Sequence, residues 1–231
     1  MHSGRRFIFA LLVTVALLPG RAALAASDVQ QILHQLDEAA AKFRSATADF
    51  QFDSVMTDPI PDKDTQKGTV YYERKGDSFR MAAHIREKNG KPVPVVYSYV
   101  DGHLRLFEPM INQVTTITKA GDYASYLMLG FGASGKALAE KWDIKSLGQE
   151  TIDGVTTEKL ELIAKDPAVR KNLPKVTIWM DTARGVSLKQ VFDEGQGQSR
   201  ESYYFNFKMN QPLPAEAFTL KTDSKTVYVN R

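Results

Sequence analysis

From residue 45 to residue 209 apolar and polar side chains mostly take turns, and turn-forming residues interrupt them at short intervals. Ala48, Phe50 and Phe52 alternate with Asp49 and Gln51. Val70 and Tyr72 lie two apart. Phe79, Met81, Ala83 and Ile85 alternate with Arg80, His84 and Arg86. A period of two sends successive side chains to opposite faces of a strand. Further strands are predicted at residues 93–100, 103–108, 113–118, 142–147, 156–164, 175–180, 186–193 and 199–209. Lys75-Gly76-Asp77, Asn89-Gly90, Asp101-Gly102, Asp153-Gly154, Arg184-Gly185 and Gly195-Gln196-Gly197 are turn signals between them. About eleven strands joined by short connections pair antiparallel. The expected fold is therefore mainly β, and a sheet of this size either closes or takes a helical plug.

Two segments depart from this period. Val29, Ile32, Leu33, Leu36, Ala40 and Phe43 recur at helical spacing, and Ser27 followed by Gln30 fits a capping box at the start of an amphipathic helix. Residues 123–141 do not alternate. Tyr123, Tyr126, Leu127 and Phe131 suit a short helix, Leu138 and Trp142 a second, with Gly130, Gly132 and Gly135 between. Such an insertion is either a movable cover or a fixed core helix.

The first 25 residues read as an export signal. Arg5 and Arg6 precede an apolar run at 7–18, Pro19-Gly20 breaks it, and Ala23-Leu24-Ala25 is a small-x-small cleavage site. The run is too short for a permanent membrane helix. A mature single domain is expected over 26–231, secreted across the inner membrane into a periplasm. The sequence holds no cysteine, so it has neither disulfides nor an acylated N-terminal cysteine as an anchor. Without Arg5, Arg6 and Arg21 the 30 basic residues fall to the number of the 27 acids. A neutral mature chain has no long-range pull toward nucleic acid or anionic lipid. A monomer is expected.

Catalytic constellations are lacking. His34, His84 and His103 are not spaced with other ligands for a metal site. No serine sits in a nucleophile elbow, and the glycines at 130–135 are followed by no Lys-Ser or Lys-Thr of a phosphate loop. Glu158 and Glu161, three apart on a strand, face opposite sides. No catalysis, metal or cofactor is expected. What remains is a surplus of bulky apolar residues at strand positions: Phe50, Phe52, Tyr72, Phe79, Met81, Tyr97 and Tyr99. Each suits an ordinary core. Together they suit a concave face that meets the helices and binds an apolar ligand.

With these landmarks in order, the chain resembles the periplasmic carriers of outer-membrane lipoproteins, the LolA-like superfamily. The amphipathic helix leading into Ala48-Asp49-Phe50 is similar to the family's opening. Gly68-Thr69-Val70-Tyr71-Tyr72-Glu73-Arg74 with Phe79-Arg80-Met81, then Val100-Asp101-Gly102, Phe107-Glu108-Pro109 and Gln113, resemble its central motifs. Asn210, Pro214 and Phe218-Thr219-Leu220 resemble its close. The resemblance implies an incomplete antiparallel β-barrel with a helical lid over an apolar cavity. It implies a soluble carrier of acylated lipoprotein, loaded by an inner-membrane ABC transporter and unloaded at an outer-membrane receptor. The cavity would be lined by Phe50, Phe52, Tyr72, Phe79, Met81 and Tyr97. The lid and its latch would comprise Arg74, Tyr123, Tyr126, Leu127 and Phe131, with Arg74 bonded to lid carbonyls. On its residues alone Arg74 is equally a solvent-facing strand charge. The sequence departs from the family where Lys75-Gly76 replaces the proline after the arginine. Carriage of another lipid, phospholipid or glycolipid, and a lipoprotein-sensing role are the alternatives on the same fold.

Overall fold

The computed structural model describes residues 20–76, 78–117 and 127–231. Helix α1 (Gly20–Lys42) leads into six strands: β1 (Ser45–Met56), β2 (Asp62–Lys75), β3 (Ser78–Lys88), β4 (Lys91–Val100), β5 (His103–Glu108) and β6 (Gln113–Ile117). Then come α2 (Gly135–Lys141), β7 (Trp142–Ile152), β8 (Val155–Ala164), α3 (Pro167–Asn172), β9 (Lys175–Asp181), β10 (Val186–Gly195) and β11 (Gln198–Met209). A 3-10 turn at Ala215–Phe218 precedes β12 (Val227–Asn230). The turn dipeptides work as their chemistry requires. Asn89-Gly90, Asp101-Gly102 and Asp153-Gly154 each hold both residues at positive φ, between +48° and +77°. That backbone matches the twist of a two-residue hairpin.

The strands form one sheet in the order β12-β6-β5-β4-β3-β2-β1-β11-β10-β9-β8-β7. β1 joins the two meanders by pairing with both β2 and β11. The end strands β12 and β7 are not neighbours, so the barrel is incomplete. The expected mainly β, incomplete barrel of about eleven strands is present, with β12 as a twelfth strand too short to show a period. Two sequence expectations need correction. β12 runs parallel to β6, since the chain reaches that edge across the outer face and not through a tight turn. Helix α1 begins at Gly20, so Ser27 lies within it and not at its cap; the alanine-rich residues before Ser27 are good helix formers.

The inner face carries two cores. Ile32, Leu33 and Leu36 of α1 pack with Leu138 of α2 and Trp142 against Leu160, Leu162, Val176, Ile178 and Met180 of β8 and β9. Helices thus cover the β7–β9 half of the sheet. Ser134 caps α2 by accepting from Ala137 N at 3.1 Å, and Asp37 Oδ1 of α1 accepts from Lys136 N at 3.1 Å. The other half, β1–β5, gathers Phe50, Val70, Tyr72, Met81, Ile85, Tyr99 and Leu104 around Phe43 and Phe131. Asn210 ties the seam between them: its Oδ1 accepts from Arg44 N at 2.7 Å and its Nδ2 donates to Lys42 O at 3.1 Å. This fastens the C-terminus of α1, where carbonyls lack helical partners.

Candidate functional site: an aromatic inner face closed by Phe131

Strand register sets the inner face in rows. Ala46, Tyr72, Met81, Tyr99 and Leu104 lie side by side across β1–β5. The next row is Ala48, Val70, Ala83, Tyr97 and Leu106, and the third begins Tyr204, Phe50, Gly68 and Ile85. All six residues expected to line a cavity therefore share one face and one cluster: Phe50, Tyr72 and Met81 are buried, while Phe52, Phe79 and Tyr97 are partly buried against them. Small residues form the floor. Gly68 has no room for a side chain, since a Cβ there would stand 2.8 Å from the Phe50 ring. Alanines at 46 and 48 leave space above β1.

Phe131 fills that space. Its ring stacks on Tyr72 with centroids 3.9 Å apart and planes 12° apart. It meets Tyr204 edge-on at 4.8 Å and Phe207 at 6.3 Å. The stack continues from Tyr72 to Phe79 at 5.7 Å and from Phe79 to Tyr99 at 6.1 Å. Phe131 is 1% exposed. The expectation of a short helix through Leu127 and Phe131 is not met at Phe131, which forms an isolated bridge with Val186. Gly130 O accepts from Ser187 N at 2.7 Å and Gly132 N donates to Gly185 O at 2.9 Å. Glycines at 130 and 132 make this approach possible: φ is +78° and +66°, and a Cβ on Gly132 would lie 2.5 Å from the Phe43 ring. Leu127 is partly buried against the same core. Tyr123 and Tyr126 lie outside the described residues.

Arg74 faces inward, beside its cross-strand partner Phe79, which removes the reading of a solvent-facing charge. Its Nη1 donates to Ala40 O of α1 at 3.1 Å and its Nη2 to Gly132 O at 2.5 Å. The guanidinium also lies 5.8 Å from the Phe43 ring centroid. Burial lowers the Arg74 pKa from its ordinary value, and Arg44 nearby adds to this; a guanidinium stays charged through such a shift. One side chain thus bridges a helix and the segment carrying Phe131. Lys75 pairs with Ser78 and Arg74 with Phe79, so the ladder runs in register to the end of β2.

Tyr204, Phe207, Gln190 and Ser202 belong to this wall but escape a reading by alternation. Asn206 sits at φ +54°, and the β1–β11 register shifts nearby. Tyr204 and Phe207, three apart, both point inward, while Phe205 is exposed. A bulge resets the phase of the strand. The asparagine is the only hint in the sequence.

The outer face differs. Asp49 accepts from Thr69 and Asn206 and holds its carboxyl below the usual range. Asp53 is also lowered, by Lys63, Thr65 and Gln51 acting against its burial. The segment after β11 crosses this face: Ala217 O lies 2.7 Å from His84 Nε2, and Arg80 stacks over Phe218 at 4.1 Å. A groove of about 650 Å³ remains there, lined by Tyr71, His84, Val96 and Phe107. It is on the side of the sheet opposite the aromatic stack. Among the described residues no cluster of three or more His, Asp or Glu is placed to hold a metal ion, and no helix is long and apolar enough to cross a membrane.

The sequence matches no protein-family model and no curated protein at a significant level. Solved structures do match. An uncharacterized conserved protein from Thermus thermophilus aligns at 12% identity over 88% of this chain and 99% of its own, with a TM-score of 0.56. MucB aligns at 15% identity over 87% of this chain and 66% of its own, with a TM-score of 0.54. A LolA superfamily protein from Nitrosomonas europaea aligns at 17% identity over 83% and 97%, with a TM-score of 0.41. At these identities the likeness shows the fold alone, one shared with MucB and the Thermus thermophilus protein.

Proposed function

We propose that this LolA-like chain is a non-catalytic carrier that shields the acyl chains of a lipid-bearing cargo, an acylated lipoprotein in the first place, on the inner face of its incomplete barrel. The observation that carries this reading is the Phe131 plug. A buried ring sits in the middle of an aromatic half-barrel, on a segment fastened by a few hydrogen bonds and one arginine. A permanent core residue needs no such detachable mounting. A cover that gives way to cargo does.

Magnitudes favour a competing occupant. Each buried methylene contributes roughly 0.8 kcal/mol. Two acyl chains held dry would exceed the practical ceiling of about 18–21 kcal/mol, and a carrier so tight could not unload. Reburying Phe131 when cargo leaves returns about 1.5–3 kcal/mol, and re-forming the Arg74 bonds returns more. These returns offset only a few kcal/mol of the gain, so the inner face must also shield the chains imperfectly for loaded and closed states to interchange.

On this reading residues 1–25 are removed on export and residues 26–231 work as a periplasmic monomer. The donor is an inner-membrane ABC transporter and the acceptor an outer-membrane receptor. The test is solubilisation. The mature protein is mixed with a fluorescent diacylated lipopeptide in detergent and the detergent is removed. Co-elution as a one-to-one complex is expected. Lipopeptide that aggregates while the protein elutes alone contradicts carriage.

A further inference from the structure

We propose that Gln190, Ser202 and Tyr204 form a polar stripe that receives the ester or amide carbonyls of the cargo's acyl groups, so that cargo is chosen by its acyl linkage and not by hydrocarbon alone. The inference rests on the carrier reading and adds a recognition element to the same site.

Gln190 is 3% exposed, on the inner wall beside its cross-strand partner Ser202. Tyr204 follows two residues along the same strand, next to the Phe131 ring. These three groups interrupt an apolar face. Gln190 spends its amide on the plug segment: Nε2 donates to Leu129 O at 2.7 Å in a buried contact. The approach is close, since a Cβ on Gly130 would lie 2.5 Å from that same nitrogen. Tyr204 is partly buried against the same core, and burial pushes its phenol up to about 12, so it remains a protonated donor at any physiological pH.

Cargo that displaces the Phe131 segment also removes the Leu129 carbonyl. Gln190 then faces the incoming ligand with a donor that water no longer reaches. A buried donor left unpaired is costly, whereas one that finds a new acceptor is not. A site built around such a donor rejects analogues that lack the acceptor. The Leu129 carbonyl is itself an amide oxygen, and an acyl ester or N-acyl amide supplies the same kind of acceptor. An alkyl ether or a bare hydrocarbon supplies a weaker one or none. Gln190 lies where the two cores meet, with Leu129 packed in one and Phe131 in the other. Linkage carbonyls placed there leave the tails to run along the aromatic rows of β1–β5.

The experiment uses the whole mature protein and two phosphatidylglycerols of equal chain length and identical headgroup, one with two ester-linked chains and one with two ether-linked chains. Each competes with a fluorescent lipopeptide. The wild type is expected to favour the ester lipid by about tenfold, and Gln190→Leu to bring that ratio close to one. Tyr204→Phe, which keeps the ring and its packing, is expected to lower the ratio in part and serves if Gln190→Leu does not fold by circular dichroism. Equal binding of the two lipids by the wild type, or an unchanged ratio in the folded variants, overturns the inference. Lipopeptide binding that neither lipid displaces also overturns the inference, and failure of the lipopeptide itself to bind overturns the carrier reading beneath it.

Discussion

Arg74 joins two elements of the site through one side chain. Its two donors reach carbonyls on separate elements, Ala40 of α1 and Gly132 of the plug segment. A planar fork holds two donors in fixed directions toward both, a preorganisation that a lysine ammonium lacks. Hydrogen bonds from a charged group contribute about 1.5–3 kcal/mol, so Arg74→Leu should loosen the plug by about 2 kcal/mol. Protection of the Gly132 amide against hydrogen exchange should fall roughly thirtyfold, and unchanged protection would exclude the latch. Tyr204 gives a second handle. Its pKa rises from 10.0 to about 12 because burial disfavours the phenolate. The unfolded chain therefore loses this proton first. The stability it contributes is intact below pH 10 and is lost as pH rises toward 12, by about 3 kcal/mol. Tyr72 is shifted the same way, by burial first and Tyr204 second. Urea unfolding at increasing pH should show the decline, and Tyr204→Phe should flatten part of it; an identical slope in the variant would contradict the assignment.

At the level of elements, the plug segment is a short bridge strand laid on β10 and not a helix. Its glycines decide this. Gly132 needs a positive φ and close approach to the Phe43 ring. Gly132→Ala should detach the segment at a cost of about 2 kcal/mol. Calorimetry is expected to show a melting temperature lowered by about 5 °C, with faster uptake of lipopeptide; a lower melting temperature without faster uptake would make the segment structural only. The strands and hairpins of this chain were legible because period two and Asn-Gly or Asp-Gly turns are local signals. Phe50, Tyr72 and Met81 were placed on the inner face by alternation alone. Phe131 was legible as part of an insertion but not as a plug, because its partners Tyr72 and Tyr204 come from strands distant in sequence. Tyr204 and Phe207 were hidden by the bulge at Asn206, and β12 by its brevity and its parallel pairing.

For the whole molecule, the division of the inner face matters most. Helices α1 and α2 seal the β7–β9 half with aliphatic packing, which gives a rigid wall. The β1–β5 half is floored with small residues and filled by the Phe131 ring. A barrel left open between β12 and β7 can admit a cargo without breaking its strand ladders. The outer face carries ion pairs such as Asp53 with Lys63 at 2.9 Å and takes no part in the proposed site. The central claim is that the inner face holds acyl chains in the cell. The most direct measurement is native mass spectrometry of the mature protein purified gently from a bacterial periplasm. A bound species whose mass matches an acylated polypeptide is expected, and a free phospholipid or glycolipid mass would redirect the cargo assignment. A clean unliganded mass, with no uptake of added lipopeptide or phospholipid, would contradict carriage altogether.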